Sequence, residues 1–222
     1  MFFFPVAFLI FIFFILLLPI LFLLAYFNIV TLGFERLGIS PQSTIIILFL
    51  MLFCSTINIP LTKKKIIYTT EARFFGLFQI PRLKTQYIAI NLGGAIIPIL
   101  LSFFLLYKTY KLGFNLYPIL VSTFLMILIC KSLAKISPGQ GIALPSLIPA
   151  IFSAFFSLIF APQFASSCAF ISGVFGTLIG GDLLNLKKVQ EISPGFISIG
   201  GAGVFDGIFL IGIISALLSG FP

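Results

Sequence analysis

The chain has 222 residues, 60% of them hydrophobic and only 8% charged, with thirty phenylalanines and a mean hydropathy of +1.27. A soluble globular domain carries about 25% charged residues, so the composition excludes that class and marks residues 1–222 as a single integral membrane domain. The net charge of +8 is not a nucleic-acid footprint in such a chain, because lysines and arginines flanking spans orient the protein and face anionic lipid.

The first apolar run, Phe2 to about Val30, has no basic residue before it. It is too long for the core of a secretory signal, so it reads as a retained span with Pro5 and Pro19 as points of kinking. The second run covers about 42–59 and is closed by Pro60. Between about 61 and 86 lies the only sizeable polar segment. Its Ile66, Ile67, Tyr68, Thr69 and Thr70 favour strand, and Phe75-Gly76 forms a turn before Leu77-Phe78-Gln79-Ile80. This pattern predicts a short β-hairpin at the membrane surface, its basic residues against lipid headgroups. Further spans follow at about 87–107, 115–134, 142–161, 164–185 and 197–220, each near the roughly twenty residues that cross about 30 Å of hydrocarbon. Segment 137–149, with Pro138, Pro145 and Pro149, reads as a connection or as a re-entrant stretch. The expected fold is an all-α polytopic membrane protein of about seven transmembrane helices with one short cytoplasmic β-hairpin.

Loop charge sets the orientation. Lys63, Lys64, Lys65, Arg73, Arg82, Lys84, Lys131, Lys135, Lys187 and Lys188 fall on one side, and only Arg36, Lys108 and Lys111 on the other. The positive-inside rule places the first group in the cytoplasm of a cell membrane, with the N-terminus inside and the C-terminus outside. Ile90-Asn91-Leu92-Gly93-Gly94-Ala95 is echoed by Ile197-Ser198-Ile199-Gly200-Gly201-Ala202. The echo reads either as shared small-residue helix packing or as a parallel repeat.

Missing residue types narrow the chemistry. There is no histidine, which excludes a His-based zinc site, a Ser-His-Asp triad and a Cys-His pair. Cys54, Cys130 and Cys168 lie in apolar runs without CxxC spacing and read as buried packing. No GxxxxGK loop is present and no GxGxxG follows a strand, so no cofactor and no metal are expected.

The acidic residues are Glu35, Glu71, Asp182, Glu191 and Asp206. Two of them stand at membrane depth: Asp182 after Gly180-Gly181, and Asp206 in Gly203-Val204-Phe205-Asp206-Gly207. An ionised carboxylate in hydrocarbon costs about 2.5–3.5 kcal/mol on insertion scales, so such a pair needs a reason. Pro194 is twelve residues from each, so a helical hairpin would bring both to similar depth. Packed helices lie about 8–10 Å apart, within reach of inward-facing carboxylates. Gly180, Gly181 and Gly203 permit close approach or local unwinding.

A carboxylate pair sharing a proton is the chemical basis of an aspartyl peptidase: one member activates water, the other protonates the substrate carbonyl. The same carboxylates, with Asn58, Asn91, Gln140 and Asn185, can instead line a path for protons, sodium or a small solute. A third reading is a non-catalytic scaffold in which an Asp caps a helix, Asp182 above all. The partners implied are the lipid bilayer and a membrane-protein substrate or small ion, with no nucleic acid. Phe and Gly on the span faces also allow a homo-oligomer.

The sixth span running inward and the seventh outward resembles the catalytic pair of presenilin-type intramembrane aspartyl proteases. Gly203-Val204-Phe205-Asp206 is similar to the looser Gly-x-hydrophobic-Asp form of archaeal preflagellin peptidases. Ile179 occupies the place of the first glycine of the stricter GxGD signature, and Ala143-Leu144-Pro145 differs from the Pro-Ala-Leu of presenilins. Ile57–Leu61, Asn91–Pro98, Gly180–Leu186 and above all Gly200–Leu210 resemble the prokaryotic membrane proteins of domain-of-unknown-function family 1614. That resemblance covers most of the chain after residue 32 and implies a multi-pass bacterial or archaeal membrane protein without an assigned activity. It also implies alanine in many members where this chain has Gly181.

Overall fold

The computed structural model describes residues 6–73, 78–137, 141–192 and 195–220. Each of the seven apolar runs contains a helix. The first is α1 (Val6–Arg36), followed by α2 (Pro41–Cys54), α3 (Ile97–Lys111), α4 (Tyr117–Leu133), α5 (Leu147–Phe160) and α6 (Ala165–Gly176). The short α7 (Leu186–Ile192) continues the sixth run, and α8 (Gly207–Ser219) ends the chain's described part. Proline opens α2, α3 and α4 within their first two positions, where its fixed φ suits the helix and its missing N–H costs no bond.

Seven full helical spans are not what forms. Among the described residues, three helical stretches are long and apolar enough to cross a membrane: Phe11–Arg36, Leu92–Lys111 and Pro162–Glu191. The helices of the other four runs have 14, 17, 14 and 13 residues. At 1.5 Å per residue they reach only about 20–25 Å. Nor is the fold all-α, because extended chain replaces helix at one end of the bundle. The third expected span begins as β3 (Phe78–Asn91), the fifth as β5 (Gly141–Ala143) and the seventh as β6 (Phe196–Ile199). Ile88, Ile90, Ile197 and Ile199 are β-branched and alternate with the smaller Ala89 and Ser198, a pattern compatible with strand, and β3 and β6 then have one another to pair with.

The expected hairpin forms between β2 (Lys65–Arg73) and β3, in register from Lys65↔Gln86 to Arg73↔Phe78. Its turn at Phe75-Gly76 lies outside the described residues. β3 runs on to Asn91, where β1 (Asn58–Pro60) pairs with it antiparallel. β6 pairs with β3 in parallel, from Tyr87↔Phe196 to Ile90↔Ile199. Within segment 137–149, β5 forms a second hairpin with β4 (Lys135–Ser137), and α5 begins at Leu147.

Helix α6 is the hub: every residue from Cys168 to Val174 is buried. The backbone carbonyl of Ala169 accepts hydrogen bonds from Ser153 Oγ of α5 (2.8 Å) and Ser215 Oγ of α8 (3.0 Å). Small residues let these backbones approach, and hydroxyls tie them together where apolar burial against lipid drives little. α1 runs parallel to α8. Tyr26 Oη donates to the Val204 carbonyl (2.6 Å), and a Cβ on Gly33 or Gly220 would meet Ile213 or Arg36. At the Arg36 end, Lys108 Nζ also donates to the Leu37 carbonyl (3.0 Å). The sheet lies at the other end. The ten-residue and three-residue basic groups therefore occupy opposite ends of the bundle.

Candidate functional site

Between α6 and α7 the backbone loosens into a π-helical turn, Thr177–Asp182, then a 3₁₀ turn, Leu183–Asn185. Such widening is concentrated at functional sites and leaves carbonyls in need of donors. Asn185 Nδ2 supplies them, donating to the carbonyls of Gly180 (3.1 Å) and Gly181 (2.8 Å). Gly180 faces α4, where a Cβ would collide with the Ile127 carbonyl. Gly181 is different: a Cβ there would sit 3.7 Å from Leu144 and Thr177 side-chain carbons, an ordinary contact. The alanine implied at this position by the family resemblance fits without rearrangement. Asp182 ends the π turn, half-buried, with no side-chain hydrogen bond among the described residues.

Asp206 is held differently. It is the N-cap of α8, with Oδ1 accepting from the Ile208 N–H (3.0 Å) and Oδ2 from the Ala202 N–H (3.4 Å). The capping role that the sequence reading gave above all to Asp182 thus falls to Asp206. Gly203, three residues before it, has φ +62°, and a Cβ there would sit 2.7 Å from Ser55 Cβ. Only glycine meets both demands.

The two carboxylates line one cavity of about 500 Å³ and lie within electrostatic reach of one another. β5 with Leu144 and β6 with Gly200–Ala202 contribute to its lining, and among the described residues no lysine or arginine does. The route to this juxtaposition is not the helical hairpin with equal arms. One arm is helical through α7 and the other extended through β6, so the twelve residues on each side rise by different amounts. Pro194 itself lies outside the described residues, as does Gln140.

Asn91 and Asn58 stand off the cavity. Asn91 is fully buried, donates from Nδ2 to the Ser55 carbonyl (2.6 Å) and Asn58 Oδ1 (3.2 Å), and accepts at Oδ1 from the Gly94 N–H (2.8 Å). Ser198 Oγ, on the cavity side, donates to the same Asn58 oxygen at 2.5 Å. This joint fastens α2, β1, β3 and β6 together. Beside it the echoed segments meet: a Cβ on Gly94 would strike the Gly200 carbonyl, and one on Gly200 would lie 2.7 Å from Ala95. Both segments lead a strand through glycines into a helix in the same direction.

Sequence reasoning missed Ala143, Leu144, Thr177 and Ser198, all on the cavity wall. The signal available for the first two was the Pro- and Gly-rich segment 137–149, and for Ser198 its place in the echo.

Depth follows from α1. Counting about 30 Å of hydrocarbon back from Arg36 at 1.5 Å per residue reaches about Leu16. That point is ten residues, roughly 15 Å, beyond Tyr26 and its partner Val204. The four residues of β6 span about 13 Å, less than the roughly 15 Å between Tyr26 and that point. Ile59 of β1 and its flanking Ile57 and Leu61 are exposed and apolar.

A family model described as a protein of unknown function (DUF1614) matches residues 52–218, which take in both carboxylates, the sheet and the cavity. Neither the curated proteins nor the solved structures include a match to the chain.

Proposed function

The chain belongs to the DUF1614 family, whose description assigns no activity, so function is read from its own residues, and we propose an intramembrane aspartyl peptidase with Asp182 and Asp206 as its catalytic pair. The observation that carries this reading is two carboxylates lining one cavity with, among the described residues, no lysine or arginine beside them. Such a pair shares one proton. Asp206, with a backbone N–H on each oxygen, is the member suited to the anion, and Asp182, without a donor, the member suited to hold the proton.

The chemistry balances with these two groups and one water. Asp206 takes a proton from water as the water oxygen bonds to the amide carbon, and Asp182 gives its proton to the carbonyl oxygen. The resulting diol returns a proton to Asp182 while Asp206 protonates the departing nitrogen and the C–N bond breaks. The pair ends as it began. The ten-residue basic end faces the cytoplasm in this reading, so cleavage takes place in the inner part of the membrane.

One observation favours a second reading, ion or solute transport. The two parallel strand–glycine–helix units resemble the broken spans that line transport paths at membrane depth. Purified protein in liposomes separates the two. Peptidase action requires cleavage of single-span peptides by the wild type and its loss in Asp182→Asn, with sodium and proton flux at background in both. Flux in the wild type that is lost in Asp182→Asn, without cleavage, would replace the peptidase by the transporter.

A further inference from the structure

We propose that the chain forms a two-fold dimer in the membrane, in which Asn28 of α1 pairs with Asn28 of a second copy. This goes beyond the peptidase reading and does not depend on it. From residue 11 to residue 29 no side chain of α1 is buried, so the rest of the chain leaves this stretch uncovered. Where α1 passes α2, the two helices line a groove of about 350 Å³. Leu24, Phe27, Asn28 and Thr31 line it from α1, and the residues at the same offsets from Ile45 to Leu52 line it from α2. Two seams spaced at i, i+3, i+4 and i+7 are the bed on which a third helix packs.

The groove is apolar except for Thr31 and Asn28. Thr31 Oγ1 donates to the Phe27 carbonyl of its own helix (2.8 Å). Asn28 is satisfied only in part. Its Nδ2 donates to the Leu24 carbonyl (2.9 Å), and the exposed carboxamide keeps one N–H and Oδ1 without a partner among the described residues. Asn28 is eight residues, about 12 Å, from Arg36, close to the middle of about 30 Å of hydrocarbon.

That placement selects the occupant. Acyl chains offer neither donor nor acceptor at this depth, and an unpaired amide there is costly. A second copy, related by a two-fold axis along the membrane normal, brings an identical carboxamide to the identical depth. Each amide then gives its free N–H to the other's oxygen, and two reciprocal bonds close the pair. One Asn in an otherwise apolar helix seam also fixes register and the number of partners. α1 of each copy meanwhile covers the apolar lining of the other's groove.

Subunit counting of the full-length protein in liposomes tests this without needing cleavage. Wild type carrying one fluorophore per chain should count as dimers at high density and separate into monomers on dilution with lipid. Asn28→Leu should need about tenfold higher density to dimerise, the loss expected for two interhelical hydrogen bonds. Asn28→Gln, which keeps the amide, should lie closer to wild type. Thermal unfolding of the three as monomers in dilute detergent should coincide, since Asn28 bonds only within its own helix. Disulfide trapping then locates the contact, with Cys54, Cys130 and Cys168 replaced by serine or alanine. Leu24→Cys should give dimers on oxidation, whereas Phe22→Cys and Ile29→Cys, exposed on another face of α1, should not. Monomers at every density, larger assemblies, Asn28→Leu dimers as strong as wild type, or trapping from Phe22 and Ile29 in place of Leu24 would each overturn the proposal. So would a monomer that holds a lipid or a single-span peptide against Leu24.

Discussion

Adjacent glycines in the π turn should respond oppositely to the same methyl group. In Gly180→Ala the new Cβ meets the Ile127 carbonyl carbon and Cα at 3.0 Å and its oxygen closer still, all backbone atoms of α4. Backbone cannot swing aside as a side chain does, so the turn and α4 must separate. Overpacking of this kind costs about 1–3 kcal/mol. Against that stands the gain from replacing a helical glycine by alanine, about 0.5–1 kcal/mol. The net expectation for Gly180→Ala is a loss of about 1–2 kcal/mol. For Gly181→Ala both neighbours are side-chain carbons at 3.7 Å, so only the favourable part remains and stability holds or rises by up to about 1 kcal/mol. In a chain of this length each kcal/mol shifts Tm by about 2–4 °C. Thermal unfolding of the purified variants in detergent therefore reads a drop of several degrees for Gly180→Ala and none for Gly181→Ala. Cleavage should fall in the first alone, since Asp182 is carried by the displaced turn. Equal destabilisation by both substitutions would refute the close approach of this turn to α4.

Asp206→Ala should lower stability by about 1 kcal/mol through loss of the α8 cap, and Asp206→Asn should largely keep it; thermal unfolding distinguishes them, and cleavage is lost in both. Asn91→Leu removes the partners of the Ser55 carbonyl and the Gly94 N–H inside the bundle, and should cost about 1–3 kcal/mol for each group left unpaired, measured the same way. Tyr26→Phe, which loses only the bond to the Val204 carbonyl, should cost about 1 kcal/mol. In a cysteine-free background, Lys64→Cys and Lys111→Cys should label from opposite faces of the membrane; labelling of both from one face would contradict the charge-derived orientation.

The parts of the fold legible in the sequence are those set by single residues or near neighbours. Hydropathy sums residue by residue, so every apolar run held a helix, and Ile66–Thr70 announced β2 by their own strand preference. What hydropathy cannot register is whether an apolar run is helix or strand. Phe196–Ile199 becomes β6 because β3 lies alongside it, a partner more than a hundred residues earlier in the chain. Three of the run boundaries failed for that reason. Asp182 and Asp206 stood out because an acid inside an apolar run needs an explanation, and one cavity does take in both. The geometry joining them was not legible, since equal residue counts mean equal lengths only when both arms share one conformation. Asn91 and Asn58 looked alike to the acids in an apolar setting, yet their partners are backbone groups, each other and the Ser198 hydroxyl. A polar residue in a span reports a need for partners, not which partners meet it.

Cleavage rates of one single-span peptide by four proteins test the carboxylate pair most directly: wild type, Asp182→Asn, Asp206→Asn and the double variant, each confirmed folded by its thermal transition. Groups that act as one unit are not additive, so each single variant should be about as inactive as the double. A double variant slower than either single by the product of their separate effects, or substantial cleavage by either single, would contradict a shared catalytic role for Asp182 and Asp206.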